Sequence, residues 1–328
     1  MPGSVNQSVI CVDIGGTSTK AAMLDAEGEL HFVDSIPTQP DRNSYVQALC
    51  ALIDETREAA LTHGHRLSGI GVAVAGFLSP SRDRLVYNPN LTWLEGVPLH
   101  ERLTQRFDLP IELEIDSNAA CMAEYYFGSG RQSRRFLCVT SGTGLGVGMA
   151  VNGQPLRFAY GCLGDIGHII VQPEGPLCSC GGRGCAEIMV SAPALAERFA
   201  YRSEIRSTVS LRDVIEAAHT RDSIAITVLK EAGEWLGIAI ASMANILFPD
   251  HIVIAGGLSA AGDYVLEPAE RVFRETASIL ARSSTSFAAA TLGPSATLLG
   301  AAWPFWAAGA VNINPSKEVA IHGEPGPK

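Results

Sequence analysis

The sequence predicts an α/β chain made of two related halves, and three observations carry that expectation. Apolar runs of strand length end repeatedly in glycine: Val9–Val12 runs into Asp13-Ile14-Gly15-Gly16-Thr17, Phe136–Thr140 into Ser141-Gly142-Thr143-Gly144, and His251–Ala255 into Gly256-Gly257. The stretch DIGGTSTKAAMLDAEGEL reads like TSGTGLGVGMAVNGQPL: strand, glycine–threonine turn, strand, turn. Such a repeat looks like an internal duplication, and duplicated halves suggest a cleft between them. The length, 328 residues, is long for one core and suits two domains of ordinary size.

After the first glycine turn a second strand follows over Thr19–Leu24, then a turn at Glu27-Gly28 and a third strand near Leu30–Val33. This is a meander and not a strand–helix crossover. A helix is predicted from Ser44 to about Thr62, then a buried strand over Gly69–Ala75 that stops at Gly76. Tyr87–Trp93 is a loop of turn formers. A helix at Leu99–Phe107 precedes strand Ile111–Ile115, after which Asp116-Ser117-Asn118 caps a helix reaching Phe127. The second half restarts at Phe136, returns over Val147–Val151 and carries the hairpin signal Asn152-Gly153. Helices around Ile224–Leu247 and Pro268–Ala281, strands His251–Ala255 and Phe287–Leu292, and an alanine-rich helix from Ser295 to about Ala308 complete the pattern. The tail 312–328 is predicted to be disordered.

Composition narrows the function. Hydrophobic residues make up 47% of the chain and charged ones 18%, the balance of a globular protein. A net charge of −10 leaves no electrostatic footprint for nucleic acid. The opening MPGSVNQS is polar, unlike a signal peptide. The apolar stretch Trp235–Phe248 is interrupted by Ser242 and Asn245 and is too short to span a bilayer. Cys11, Cys50, Cys121, Cys138 and Cys162 are scattered in apolar surroundings, the usage of a cytoplasmic protein with no disulfide framework.

The remaining cysteines cluster. Residues 168–187, HIIVQPEGPLCSCGGRGCAE, place His168 upstream of Cys178, Cys180 and Cys185. Three thiols and an imidazole are a tetrahedral zinc set, and Gly181, Gly182 and Gly184 let the chain wrap tightly around an ion. Four protein ligands leave no open position, so the expected zinc is structural. The competing reading is a disulfide or plain buried thiols; C-x-C spacing is poor for a disulfide. Glu187 follows the last ligand closely, so the clamp would fix its carboxylate.

The three glycine turns expose backbone N–H groups that make an anion cradle, to which Thr17 and Thr143 can add hydroxyls. One such turn is usually only a turn; three, two of them in matching places of a repeat, point to polyphosphate. GTGLGVG runs into alternating strand residues and not a helix, so it is no dinucleotide fingerprint, and no G-x-x-x-x-G-K-[ST] exists. Asp116, at a strand end and a helix start, could accept a proton from a substrate hydroxyl. From position alone, a helix N-cap is the simpler role.

The motifs DIGGT, PNLTW with G-x-P-L, DSNAA with a following AE, SGTGLGVG, GDIGH, CSCGGRGCAE, AGGL and ATLLGAA occur in that order. Together they resemble the ROK family of repressors, uncharacterised frames and sugar kinases, in its bacterial glucokinase-like branch, over about residues 9 to 305. The resemblance implies an actin-like ATPase fold of ribonuclease-H type, with two domains around a central cleft. These would be residues 1–118, completed by a C-terminal helix over 295–310, and residues 119–294 with the zinc loop 168–187. It implies ATP with Mg2+ as phosphoryl donor to a sugar hydroxyl, usually on C6. Asp116 matches the general base. Asp13, Gly15, Gly16 and Thr17 match the first phosphate motif, Gly142, Thr143 and Gly144 the second, and Gly256 with Gly257 the adenosine motif. Asn90, Asp165, His168 and Glu187 match the sugar side, His168 while also binding structural Zn2+. A homodimer is usual among similar proteins.

Two positions depart from the pattern. Ile115 stands where the family usually has Asn, and Asp165 where it usually has Glu. Both family residues hydrogen-bond ring hydroxyls of the sugar. A buried hydroxyl without a partner costs about 1–3 kcal/mol, enough to shift preference tenfold or more. The expected acceptor is therefore an amino sugar or sugar analogue, against a repositioned glucose or a water filling the gap. Some family members are repressors with an N-terminal helix-turn-helix. The first phosphate motif begins here at residue 13, which leaves no expected room for one, and a sugar sensor without kinase activity is the other alternative.

Overall fold

A computed structural model describes residues 7–38 and 41–311 of the chain; the predicted tail 312–328 lies outside the described residues. The chain divides into two compact units. Unit 1 comprises the residues up to Phe127, Pro155–Leu163, and those from Ser295 onward; unit 2 comprises Gly128–Gln154 and Gly164–Pro294. Relative to the sequence-based expectation, unit 1 also takes in residues 119–127 and 155–163.

Unit 1 starts as the expected meander: β1 (Gln7–Ile14), β2 (Ser18–Leu24) and β3 (Leu30–Pro37) pair antiparallel in turn. Helix α1 (Arg42–Thr62) follows, its first turn capped by Asp41, whose carboxylate accepts from Ser44 N at 2.8 Å. It leads into β4 (Arg66–Val74), parallel to β1. A small hairpin of β5 (Phe77–Leu78) and β6 (Leu85–Tyr87), then α2 (Leu99–Arg106), precede β7 (Ile111–Ile115), parallel to β4, and α3 (Asp116–Tyr126). The sheet order is β3-β2-β1-β4-β7. Its core gathers Ile10, Val12, Ile14, Leu49, Ile53 and Val72, all fully buried.

Unit 2 repeats the plan. β8 (Arg135–Ser141) and β9 (Leu145–Val151) are antiparallel, and Asn152 and Gly153, with φ of 51° and 79°, turn the chain into β10 (Gln154–Pro155). Helices α4 (Ala186–Val190), α5 (Ala192–Arg202), α6 (Leu211–His219) and α7 (Ser223–Leu247) come before β11 (His251–Ala255). Then α8 (Asp263–Thr276), α9 (Ile279–Ser284) and β12 (Ser286–Ala289) complete a sheet of order β10-β9-β8-β11-β12, with β8, β11 and β12 parallel. The two sheets share one strand order, three antiparallel strands followed by two parallel crossovers, as the sequence repeat suggested. Helices α7 and α8 meet through Gly233 and Gly237: a Cβ on either would come within 2.5 and 2.6 Å of the carbonyl oxygens of Val265 and Ala269.

The C-terminal segment, α10 (Ala296–Ala301) and α11 (Trp303–Ala307), packs on unit 1. One alanine-rich helix was expected here; Pro304 has no N–H to give to Gly300 O and its ring crowds that carbonyl, so the segment splits in two at Ala302. α10 lies so close to α3 that a Cβ on Gly300 would sit 1.8 Å from Ala119 O. Three other expectations need correction. α8 begins five residues before Pro268, on a Gly262 cap, and carries that proline inside. β12 ends at Ala289, short of Leu292. Asp116 is not the cap of α3: Ile115 holds that position and Asp116 is the first helical residue. Among the described residues no helix is long and apolar enough to cross a membrane.

Candidate active site

Parallel strands deliver their carboxyl ends to one edge of a sheet, and in unit 1 that edge carries the candidate chemistry. Asp13, near the end of β1, and Asp116, just past the end of β7, are both half-buried. Burial pushes the Asp116 carboxyl up to about 6, against the stabilising Ser117 N–H, which donates to its Oδ1 at 2.7 Å. Asp13 is pushed up to about 7, by burial first and then by the charge of Asp116, with Lys20 pulling the other way. Asp13 therefore senses the charge of Asp116 across the edge.

The first glycine turn lies beside them. Gly15 N donates to Ser18 O at 3.1 Å, and the Thr38 hydroxyl donates to Gly15 O at 2.8 Å, which fixes the turn. A Cβ on Gly16 would touch Asn90 Cβ at 3.4 Å, so Asn90 stands against the turn; its own N–H donates to Asn88 Oδ1 at 2.7 Å. Gly15, Gly16, Thr17, Asn90, Asp13 and Asp116 are thus gathered in one unit. Ile115 is 3% exposed and belongs to the core with Leu78 and Cys162.

Sequence reasoning missed what lies beneath Asp116. Glu114 is fully buried. Its Oε1 accepts from Ile115 N at 3.0 Å and Asn118 Nδ2 at 2.9 Å, while its Oε2 pairs with Arg157 Nη2 and accepts from Trp303 Nε1 at 3.2 Å. Arg82 Nη1 is 3.6 Å from the same oxygen. Asn118 Nδ2 also donates to Gly161 O at 2.8 Å, which ties the segment Pro155–Leu163 to the start of α3. A buried carboxylate needs this many donors to offset its lost hydration. The signal was present in the strand itself, Ile-Glu-Leu-Glu-Ile, where a charge sits in a buried element; its partner 43 residues away was not.

In unit 2 the second glycine turn, Gly142-Thr143-Gly144, joins β8 to β9. Gly256, at φ 80°, follows β11 so closely that a Cβ would lie 2.4 Å from Ser141 O, which brings the third turn against the end of β8. Glu187, on α4, reaches the second turn: its Oε2 accepts from Leu145 N at 3.0 Å. A Cβ on Gly144 would be 2.6 Å from that same oxygen. Asp165 Oδ2 lies 3.6 Å from His168 Nε2.

The four expected metal-ligand residues come together. One ligand atom each from His168, Cys178, Cys180 and Cys185 lies within 4.8 Å of the others. Cys178 Sγ is 3.6 Å from His168 Nδ1, and Cys180 Sγ is 3.6 Å from Cys185 Sγ. Ligands around a tetrahedral zinc sit roughly 3.3–3.8 Å apart, so the donor set fits. These cysteines are free thiols, at separations too long for a disulfide. Burial, then the neighbouring thiols of Cys180 and Cys178, push Cys185 up to about 12; ionising it beside them calls for a cation. Gly184, at φ 63°, closes the loop so tightly that a Cβ would lie 1.6 Å from Gln172 O.

The ROK family pattern matches residues 9–307. The chain is 33% identical over 309 residues to the glucokinase of Streptomyces coelicolor, covering 89% of this chain and 96% of that one. It is 27% identical over 301 residues to the xylose repressor of Bacillus spizizenii, covering 89% of this chain and 75% of the repressor. The crystal structure of a ROK family glucokinase from Streptomyces griseus in complex with glucose and AMPPNP matches with a TM-score of 0.79 at 32% identity, over 90% of this chain and 98% of that one. A family pattern spanning nearly the whole chain, two sheets of one repeated strand order and a solved relative of this similarity agree: the chain belongs to the ROK family and has its actin-like ATPase fold.

Proposed function

We propose that this protein is an ATP-dependent sugar kinase, which transfers the γ-phosphoryl group of ATP to a hydroxyl of a hexose or hexose-like sugar, on C6 by resemblance. The observation that carries the reading is Asp116: a half-buried carboxylate at the sheet edge, raised to about 6 and so both ionised at neutral pH and more basic than a free aspartate. In the step, Asp116 takes the proton of the acceptor hydroxyl. The oxygen forms a bond to the γ-phosphorus, the bond to the β–γ bridging oxygen breaks, and ADP leaves. Glucokinase relatives at 33% identity support this chemistry. Asp13 and the turn Gly15-Gly16-Thr17 serve phosphate in unit 1; Gly142-Thr143-Gly144 and Gly256-Gly257 serve the nucleotide in unit 2. Mg2+, when bound, neutralises phosphate charge.

His168, Cys178, Cys180 and Cys185 would hold a structural Zn2+, which supplies loop rigidity and no open coordination position. Asp165, His168, Glu187 and Asn90 read the sugar. The acceptor we favour is an amino sugar or sugar analogue, because Ile115 offers an apolar, buried side chain and Asp165 a shortened one. The reading places the enzyme in the cytoplasm, in keeping with eight free thiols, as a homodimer that light scattering would reveal.

The repressor relative supports a second reading, a sugar-binding regulator without kinase activity. Asp116→Asn separates the two. A kinase loses about 10²–10⁴-fold in turnover while its acceptor Kd stays within about threefold. In a regulator, ATP is not consumed by the wild type with any sugar, and the substitution changes nothing.

A further inference from the structure

Helix α4 is only five residues long, yet it is fastened on two sides. Its start follows Cys185, and Ala186 N donates to Ile169 O at 2.8 Å, which joins it to the loop of the metal ligands. Its flank is fastened to the β8–β9 turn at two points, through Val190 and Glu187, and the first residue of α5, Ala192, adds a third. The Ser141 hydroxyl donates to Val190 O at 3.0 Å, Ala192 N donates to Gly142 O at 2.8 Å, and Leu145 N donates to Glu187 Oε2 at 3.0 Å. A side chain on Gly144 would have to displace the Glu187 carboxylate, 2.6 Å from its Cβ, and a Cβ on Gly167, on the metal side, would lie 3.1 Å from Leu145 O and 3.3 Å from Glu187 Cβ. Glu187 Oε1 accepts no hydrogen bond from the described residues, so it stays open while Oε2 holds the turn.

We infer that Glu187 is a coupling residue: one carboxylate oxygen pins the Gly142–Gly144 turn while the other serves the acceptor side, so that the sugar-reading loop and the nucleotide turn move as one piece. The inference rests on the kinase reading for the names of the two ligands, but the mechanical link is a property of unit 2 alone. A turn already held by Glu187 needs less ordering when phosphate arrives, and linkage makes the effect reciprocal. An acceptor that engages Oε1 therefore tightens nucleotide binding, and nucleotide tightens acceptor binding.

The test uses the full chain without sugar. Amide exchange at Leu145 is predicted to quicken about tenfold or more in Glu187→Ala and to stay near wild type in Glu187→Gln, whose amide oxygen can still accept, with β11 amides as the control for folding. AMPPNP titration is predicted to show about tenfold weaker binding in Glu187→Ala, within the usual range of coupling. Gly144→Ala, which must push Glu187 aside, is predicted to quicken the same amide. Unchanged exchange at Leu145 in Glu187→Ala would overturn the link, and an unchanged AMPPNP Kd would overturn its transmission to nucleotide. A wild type that binds no AMPPNP would instead sink the kinase reading, and the exchange measurement would still decide the coupling.

Discussion

Sheet β3-β2-β1-β4-β7 and sheet β10-β9-β8-β11-β12 repeat one strand order, yet the ends of their strands carry different chemistry. In unit 1, Asp13 and Asp116 stand at the ends of β1 and β7. The matching places in unit 2 hold Thr140, and Ala290 just past β12. Unit 2 brings its carboxylate, Glu187, from a segment inserted after the meander and tied by the cysteine–histidine knot. A duplicated scaffold thus gives both halves a glycine turn suited to phosphate. The carboxylates belong to strand ends in one half, and to an insertion in the other.

That comparison can be broken first at the buried network of unit 1. Arg157→Met leaves Glu114 with Arg82 at 3.6 Å and is expected to cost about 3 kcal/mol in urea unfolding. Glu114→Leu with Arg157→Met should recover most of that loss, because an apolar pair needs no compensation. Equal losses in the single and double variants would show that the network does not hold the β7–α3 junction.

A smaller effect tests the buried carboxylate at the end of β7. Asp116 has its carboxyl raised in the fold, so the folded state disfavours the ion. Below about pH 4 both folded and unfolded chains are protonated and the penalty is absent; it grows as pH rises and is complete above about 6. Asp116→Asn is therefore expected to stabilise the ligand-free protein on the order of 2 kcal/mol at pH 8, with the gain gone by pH 4. A destabilised variant at pH 8 would place Asp116 among the structural residues. The same shift sets turnover: kcat/KM should fall about tenfold per pH unit below about 6, and a profile flat to pH 5 would remove Asp116 from the chemistry.

The finest test concerns specificity. Ile115→Asn restores a polar group beside Asp116 and is expected to move the kcat/KM ratio of glucose to amino sugar about five- to tenfold toward glucose. No movement would mean that the buried isoleucine plays no part in choosing the acceptor.

The sequence made the meanders, the glycine turns and the cysteine–histidine cluster readable because each depends on neighbours in the chain. The helices between 187 and 223 went unread although α6 announces itself: Ser210 and Asp213 form a capping box, and Leu211, Val214, Ile215 and Ala218 are spaced for one face. Asp116 looked like a cap because aspartate caps well, and only the backbone shows that Ile115 holds that place. Long-range partners stayed hidden. Nothing local tells that Glu114 meets Arg157 and Trp303, or that the carboxylate of Glu187 lies against the glycine at 144.

The most direct measurement is mass spectrometry of candidate acceptors after incubation with ATP, Mg2+ and either the wild type or Asp116→Asn. The account predicts a sugar monophosphate formed with equimolar ADP by the wild type, largest for an amino sugar or sugar analogue and reduced at least a hundredfold in the variant. No phosphorylated sugar from any acceptor, or equal product from the two proteins, would contradict it.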